Sequence, residues 1–135
     1  MLKARVREGF TLLELVAVVV IIGLLAAVAI PKYFKSRDRA YFTTLRSDLR
    51  NLATAEELYY SAQRAYTGTT ADLGEFQPSK GVRFTFAAAT ATGYAVVAAH
   101  DNLSAGSQGC AFKAGDAADP TGYTLTVGMI ACTGE

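Results

Sequence analysis

A nearly unbroken apolar run occupies residues 10–30 and carries one charged side chain, Glu14. About 20 apolar residues cross the hydrocarbon core of a membrane as a helix, so the run is long enough to span one. The residues after it, Pro31-Lys32-Tyr33, do not form the small-x-small cleavage site of an ordinary secretory signal. The run therefore predicts a membrane anchor that stays with the chain. Glu14 needs a separate reason, because a charge at the centre of such a segment costs about 2.5–3.5 kcal/mol.

Charged residues are balanced over the whole chain but not along it. The 135 residues include 13 Lys and Arg against 12 Asp and Glu, a balance that gives no basic field for nucleic acid. Basic side chains collect on both sides of the apolar run: Lys3, Arg5 and Arg7 before it, and Lys32, Lys35, Arg37 and Arg39 after it. Because the two groups are similar in size, the positive-inside rule leaves the orientation of the anchor open.

The stretch Gly9-Phe10-Thr11-Leu12-Leu13-Glu14 resembles the processing site of type IV pilins and pseudopilins. The resemblance implies that a prepilin peptidase/methyltransferase cuts between Gly9 and Phe10, removes residues 1–9 as a cytoplasmic leader and N-methylates Phe10. It also implies that residues 10–31 stay as a single-pass inner-membrane helix with a cytoplasmic N-terminus, and later form the core of a filament.

The same resemblance gives Glu14 a role in assembly. Cleavage leaves an α-amino group on Phe10, and the unperturbed pKa of such a group is about 7.7–8.0. An ammonium and a carboxylate that meet in low dielectric offset much of each other's burial cost. The resemblance implies that Glu14 of one subunit meets the Phe10 amine of a neighbour. A contact within one chain, one helical turn apart, and a carboxylate that reaches the membrane interface are the alternatives.

Two helix-weakening residues lie in the apolar segment, Gly23 and Pro31. Pro31 cannot donate a hydrogen bond to the carbonyl of Ala27, and a glycine costs about 0.8–1.0 kcal/mol relative to alanine in a helix interior. The resemblance implies that the stretch between Gly23 and Pro31 unwinds when the filament assembles. A simple proline kink is the alternative.

Helical periodicity continues beyond the apolar run to about residue 65. One apolar stripe at three- and four-residue steps contains Phe42, Leu45, Leu49, Leu52 and Tyr59 or Tyr60. Off this stripe we expect Arg46, Asp48, Arg50, Glu56 and Glu57. The pattern predicts a helix over residues 11–65 that is capped near Gly68. Its first half should project, and its second half, residues 32–65, should pack on a globular domain.

The basic residues after the apolar run have two interpretations. They form a solvated collar at the membrane surface, or they pair with acidic residues of neighbouring subunits. The acidic candidates are Asp48, Glu56 and Glu57. Exposed pairs of this kind are individually weak, so the sequence leaves both interpretations open.

Residues 66–135 are rich in Gly, Thr, Ala and Ser with short β-like runs, which predicts a β-sheet domain. A loop with a short helical turn near residues 71–73 should precede it. Strands are predicted at residues 82–89, 94–100, 109–113 and 123–131, with a bulge at Gly128. An antiparallel sheet of about four strands packed on the amphipathic helix gives an α+β class, as in the pilin fold.

Two cysteines, Cys110 and Cys132, lie near the C-terminus. In a chain with an export-like N-terminus they predict one disulfide, and two reduced thiols are the alternative. The bond would close a loop of about 23 residues and contribute roughly 3 kcal/mol. Such a loop resembles the C-terminal disulfide-bounded region of type IV pilins.

The sequence predicts no catalytic site, metal site or cofactor. His100 is the sole histidine, has no nucleophile or metal-ligand spacing around it, and is expected at the exposed end of a strand. Four Asx residues lack EF-hand spacing and are expected to form turns rather than a calcium site. They are Asp101, Asn102, Asp116 and Asp119.

The resemblance is closest to the major pilins of the type IVa class. It implies a structural subunit, not an enzyme, that an inner-membrane assembly platform polymerises into an extracellular pilus for adhesion, twitching motility or DNA uptake. No direct nucleic-acid site is evident. A pseudopilin of a type II secretion system or a minor pilin is the first alternative. A membrane-anchored binding domain that stays monomeric is the second, and it predicts that replacing Glu14 is harmless.

Overall fold

The computed structural model describes residues 9–104 and 106–133. Most of the expected leader, residues 1–8 with its three basic side chains, lies outside the described residues. The elements are α1 (Leu12–Gln63), a 3-10 helix (Thr70–Asp72), β1 (Val82–Ala89), β2 (Gly93–His100), β3 (Gly109–Gly115) and β4 (Ile130–Thr133). The predicted α+β class, with one long N-terminal helix and a four-stranded antiparallel sheet, is confirmed.

Contacts divide the chain into two compact units, one ending at Lys35 and the other beginning at Ser36. We call the described residues 9–35 the N-terminal segment and residues 36–133 the C-terminal unit. Helix α1 is continuous in both and contains Pro31.

Helix α1 ends two residues earlier than the periodicity predicts, at Gln63. Arg64 follows it with a positive φ of 59°, and its backbone N–H donates to the carbonyl of Tyr60 at 2.8 Å. A left-handed residue directly after the last turn is a common helix terminator. The prediction of Gly68 as the cap is therefore wrong, because Arg64 takes that conformation although it is not a glycine.

In the C-terminal unit one face of α1 packs on the sheet. Phe42, Leu45, Leu49 and Leu52 are at most 1% exposed, which confirms the predicted stripe. These side chains join a core cluster with residues of β2 and β3, among them Tyr94, Val96 and Phe112. The helix and the sheet thus cover each other's apolar faces.

Two acidic residues expected off the stripe lie on its buried side. Asp48 is 5% exposed and Glu56 is fully buried. Glu56 follows Leu52 by four residues, so it continues the stripe by the same spacing that defines it. The prediction that these two residues lie off the stripe is wrong, because it was made from their charge and not from their spacing along the helix.

The strands follow one another in sheet order β1-β2-β3-β4, and every neighbouring pair is antiparallel. A register shift between Phe86 and Ala88 marks a bulge in β1. In the last pair, Cys110 of β3 lies directly opposite Cys132 of β4. The first three strands begin or end within two residues of their predicted bounds.

The fourth strand differs from its prediction. Residues 123–126 and 129 have no regular secondary structure, residues 127–128 form a turn, and β4 is a short edge strand, Ile130–Thr133. The side chain of Asp119 accepts from the N–H of Leu125 at 3.2 Å, and Gly128, with a φ of 77°, donates its N–H to Lys113 at 2.9 Å. These bonds take up backbone groups that a longer strand would need for its ladder. Gly128 therefore lies in a turn before β4 and not in a bulge.

Candidate functional site

The N-terminal segment exposes an almost wholly apolar helix surface. The large hydrophobic side chains from Leu12 to Ile30 are about half to four-fifths exposed, with Leu12 at 80% and Ile30 at 55%. By length and composition this part of α1 is able to span a membrane. An apolar surface of this extent needs lipid or other chains to cover it.

The expected cleavage junction lies just before α1. Gly9 and Phe10 have no regular secondary structure, and Phe10 is 85% exposed. No heavy atom lies within 4 Å of where a Cβ on Gly9 would stand. Within the described residues, both members of the expected junction are therefore exposed.

Glu14 caps the start of its own helix. Its backbone N–H donates to Oγ1 of Thr11 at 3.2 Å, while its Oε2 accepts from the Thr11 N–H at 3.4 Å. This reciprocal pair is a capping box, in which the residue before the helix and the third helical residue satisfy each other's free N–H groups. The sequence reasoning missed it, although Thr11-Leu12-Leu13-Glu14 has the required spacing.

Gly23 and Pro31 lie inside an unbroken stretch of α1. A Cβ at Gly23 would meet no heavy atom within 4 Å. The chain by itself therefore has no packing reason for a glycine at this position.

The acidic residues expected to pair with basic groups of neighbouring subunits have partners within the chain. Both oxygens of Asp48 accept from Ser79, at 2.7 Å from its N–H and 2.9 Å from its hydroxyl. Glu56 accepts from the N–H of Thr67 at 3.1 Å, and Glu57 accepts from the Tyr66 hydroxyl at 3.0 Å. Burial makes Asp48 and Glu56 unsuitable for contacts between subunits, whereas Glu57 is exposed and stays a candidate.

Glu56 is a buried titratable residue that the sequence analysis did not predict. Its Oε1 is buried without a hydrogen-bond partner among the described residues. Burial raises the pKa of Glu56 to about 7, and the nearby carboxylates of Glu57 and Asp72 act in the same direction, against the hydrogen bond from Thr67. The signal available in the sequence was its place on the apolar stripe.

The polar residues of the sheet domain considered for a calcium site form hydrogen bonds and ion pairs within the domain. Asp116 accepts from Thr92 at 2.8 Å, Asp101 pairs with Arg83 at 2.9 Å, and Asp119 binds Lys113. The Lys113 ammonium and the Leu125 N–H hold the pKa of Asp119 below its ordinary value. In the described ranges no three His, Cys, Asp or Glu side chains gather in a way that could hold a metal ion.

His100 lies at the end of β2, as expected, but it is partly buried there and not exposed. Its ring stacks on Tyr41 of α1 with centroids 4.1 Å apart, and its Nδ1 accepts from the N–H of Asn102 at 3.1 Å. The guanidinium of Arg37 lies over the same tyrosine ring, 5.8 Å from its centroid. These contacts give His100 a packing role.

The predicted disulfide is confirmed. Cys110 and Cys132 are bonded, and no free cysteine is found in the described chain. Cys110 is fully buried in the core, where the bond ties the edge strand β4 to β3.

Comparison with known proteins agrees with these features. A family model described as "Prokaryotic N-terminal methylation motif" matches residues 4–30. The chain is 37% identical over 86 residues to "Type IV major pilin protein PilA" of Myxococcus xanthus, across 64% of this chain and 39% of that protein. It is 35% identical over 96 residues to "Type IV wide pilus major component PilA4" of Thermus thermophilus, across 69% of this chain and 73% of that protein.

A secretion protein is also similar. The chain is 36% identical over 72 residues to "Type II secretion system core protein G" of Pseudomonas aeruginosa, across 53% of this chain and 51% of that protein. The match to the Thermus protein extends past α1 and covers nearly three quarters of that protein's length. Together with the methylation motif, the exposed apolar helix and the helix-on-sheet fold, it establishes that the chain belongs to the type IV pilin family.

Proposed function

We propose that this chain is the structural subunit of an extracellular type IV pilus and has no catalytic role. A prepilin peptidase/methyltransferase cuts it at Gly9–Phe10 and methylates Phe10. The processed chain waits in the inner membrane, with its N-terminus in the cytoplasm, until an assembly platform adds it to the filament. Adhesion, twitching motility and DNA uptake are the activities such a filament would serve.

The apolar surface of α1 between Leu12 and Ile30 carries this proposal. Its side chains contact little within the described chain, so burial must come from outside it. Lipid covers such a surface before assembly, and the same helix surface of other copies covers it afterwards. Because one surface serves both states, the subunit needs no second apolar surface to move from the membrane to the filament.

Glu14 supplies register during this transfer. The capping box with Thr11 holds the Glu14 carboxylate at the first turn of α1, next to where cleavage creates the Phe10 amine. An incoming subunit brings an unpaired amine of its own into the same low-dielectric region. Pairing across subunits offsets the cost of both charges, and only one axial position brings them together.

The Glu14 assignment is tested by separating charge from capping. Glu14→Gln keeps a side chain that can close the capping box but removes the charge, whereas Thr11→Ala removes the cap and keeps the charge. We expect Glu14→Gln to abolish sheared surface fibres while Thr11→Ala lowers their yield only slightly, since a lost cap costs about 1 kcal/mol. The opposite pattern would make capping the role of Glu14, and unaffected fibres in both would contradict the proposed assembly step.

Processing is tested on the fibres themselves. Mass spectrometry of fibres sheared from cells should find a chain that begins at N-methylated Phe10. A chain that retains residues 1–9 in the fibre would overturn the proposed processing. A chain found only as membrane-bound monomer would support an anchored binding domain.

Unwinding between Gly23 and Pro31 is proposed as part of assembly. Gly23→Ala adds a methyl group where the subunit has open space and strengthens the helix by about 1 kcal/mol. The variant should insert and mature normally but form fewer fibres, because a helix that resists unwinding opposes assembly. Equal fibre yield would leave Pro31 as a plain kink.

A pseudopilin of a type II secretion system is the second candidate, favoured by the similarity to the secretion protein from Pseudomonas. Such a subunit would form a short periplasmic assembly, and its deletion would abolish protein secretion. Long surface fibres with the Cys110–Cys132 bond intact favour the pilus. If deletion of this chain abolishes secretion but leaves surface fibres in place, the pseudopilin is favoured.

A further inference from the structure

Two grooves flank α1 in the C-terminal unit, and they carry opposite charge. The first, which we call the acidic groove, has a volume of about 530 Å³ and lies between α1 and the loop that follows it. Its charged lining residues are Asp72 and Glu75, and its apolar lining includes Leu58, Tyr59 and Phe76.

The second groove, which we call the basic groove, has a volume of about 500 Å³. Its charged lining residues are Arg46 and Arg50 of α1. Phe112, Met129 and Ile130 supply its apolar wall from the side of β3 and β4. Of the residues that the structure describes, no acidic one lines this groove and no basic one lines the acidic groove.

The grooves lie at opposite edges of the sheet. Phe76 in the acidic groove packs against Phe84 of β1, with ring centroids 5.7 Å apart, whereas the basic groove borders β3 and β4. β1 and β4 are the two edge strands. The helix residues that line the two grooves are roughly 140° apart around α1, at 3.6 residues per turn.

Exposed apolar side chains of the C-terminal unit concentrate at these two grooves. Among its described residues the large hydrophobic side chains that are mostly exposed are Leu58 at 68%, Val127 at 55% and Met129 at 62%. Leu58 belongs to the acidic groove, Met129 to the basic groove, and Val127 to the turn beside Met129. Exposed apolar side chains that border an apolar groove with polar residues at its rim are typical of an interaction site.

The charges beside these side chains are also available. The Glu75 carboxylate and the Arg50 guanidinium are exposed and form no hydrogen bond or ion pair with the rest of the described chain. Each groove thus offers one free charge and one exposed apolar side chain, and the charges have opposite sign. An apolar contact bordered by a complementary charge pair is a common composition for a protein interface.

We propose that the occupant of the acidic groove is a second copy of this chain, whose Met129-bearing edge sits against Leu58 while its Arg50 faces Glu75. The proposal rests on the proposed function and names which surfaces of neighbouring subunits meet. The contact is heterologous, because it joins two different surfaces on opposite sides of the unit. Such a contact leaves a free groove at each end and therefore continues from copy to copy.

Charge reversal tests the pairing in fibres made by cells. Arg50→Glu and Glu75→Arg should each lower the yield of sheared fibres by about tenfold, because like charges then meet across the contact. Combining both reversals in one chain restores the opposite pairing and should return most of the yield. Lys80→Glu is the matched control, since Lys80 is an exposed lysine that lines neither groove.

The level of processed subunit in the membrane shows that each variant folds and matures. Unchanged yield in both single reversals, or a double reversal as poor as the singles, would overturn the pairing. Arg50 and Glu75 lie in the C-terminal unit, whereas Glu14 lies in the N-terminal segment. If the pairing is overturned but fibre formation still depends on Glu14, the proposed function is unaffected. Absence of fibres from the natural chain, with processed subunit present, would overturn the proposed function and this inference together.

Cross-linking tests the geometry separately. A chain with both Leu58→Cys and Met129→Cys, oxidised in purified fibres, should give a ladder of covalent oligomers, whereas each single variant should stay monomeric. A dimer from one single variant would indicate a symmetric contact, and no ladder from the double variant would indicate that these surfaces do not meet. Either result contradicts the heterologous contact.

Discussion

The Glu56 carboxylate of α1 accepts a hydrogen bond from the backbone N–H of Thr67 at 3.1 Å, and both residues are buried. The bond holds the chain that leaves the helix against the helix it has just left. The hydroxyl of Thr67 donates in turn to Asp72 at 2.8 Å, in the 3-10 helix beside the acidic groove. One buried acid therefore positions the start of the loop that forms the acidic groove.

We expect the free energy of unfolding to fall as the pH rises from about 5 to about 8. Burial raises the pKa of Glu56 from 4.5 to about 7, so in this range the folded chain holds a proton that the unfolded chain has released. The contribution is complete below pH 4.5, the ordinary pKa, and is lost as the pH passes about 7. At about 1.36 kcal/mol per pKa unit it amounts to at most about 3 kcal/mol. Urea unfolding of the full chain in detergent at pH 5 and pH 8 measures it.

The matched variant for this measurement is Glu56→Gln. Its amide oxygen can still accept from Thr67, but the side chain no longer titrates. The difference in stability between pH 5 and pH 8 should shrink in the variant. An equal pH dependence in both chains would assign the effect to another group.

A second prediction concerns the contact between Asp48 and Ser79, which are 31 residues apart in the chain. Asp48→Ala should lower the free energy of unfolding by about 1–3 kcal/mol, because it leaves the Ser79 N–H in a partly buried place without an acceptor. Ser79→Ala keeps the N–H bond, loses only the hydroxyl bond at 2.9 Å, and should cost less. Denaturant unfolding of both variants gives the comparison, and a larger loss in Ser79→Ala would contradict it.

The disulfide should contribute about 3 kcal/mol, since it closes a loop with a sequence separation of 22 residues. Reduction of the natural chain should lower its unfolding midpoint in urea. The double variant Cys110→Ser and Cys132→Ser should show the lower midpoint at once and no further change with reductant. A midpoint insensitive to reduction would indicate that hydrogen bonds alone keep β4 on the sheet.

Close backbone approach makes Gly115 sensitive to substitution. It has a φ of +65°, and a Cβ there would collide with the carbonyl oxygen of Thr92. Gly115→Ala should therefore destabilise the C-terminal unit by about 1–3 kcal/mol through both strain and collision. Gly106→Ala is the control, because Gly106 also has a positive φ, +97°, but open space around it, so only the conformational cost of about 1 kcal/mol applies. Thermal unfolding separates the two effects, and equal losses would exclude the collision.

The sequence predicted the elements that depend on periodicity. The spacing of Phe42, Leu45, Leu49 and Leu52 was enough to place the buried face of α1, because a helix with one covered face must repeat at three and four residues. Short β-like runs joined by turn residues predicted β1 and β2. The cleavage motif identified the family, since its residues are adjacent in the chain and need no tertiary structure to be read.

Features set by tertiary hydrogen bonds escaped prediction. Residues 123–129 alternate like a strand, but the Asp119 side chain and the Lys113 carbonyl accept from the N–H groups of Leu125 and Gly128, and no strand forms before Ile130. Glu56 and Asp48 carry charges that suggest exposure, and only the distant Thr67 and Ser79 make their burial possible. Periodicity along one segment does not encode partners that lie elsewhere in the chain.

The bond between Cys110 and Cys132 also decides what happens when the surface turns between β3 and β4 are cut. A protease that nicks any peptide bond between the two cysteines leaves two fragments joined covalently through the sheet. A nicked subunit would thus run as one species without reductant and as two with it. Cleavage between Cys110 and Cys132 therefore does not release the edge strand β4 from the subunit.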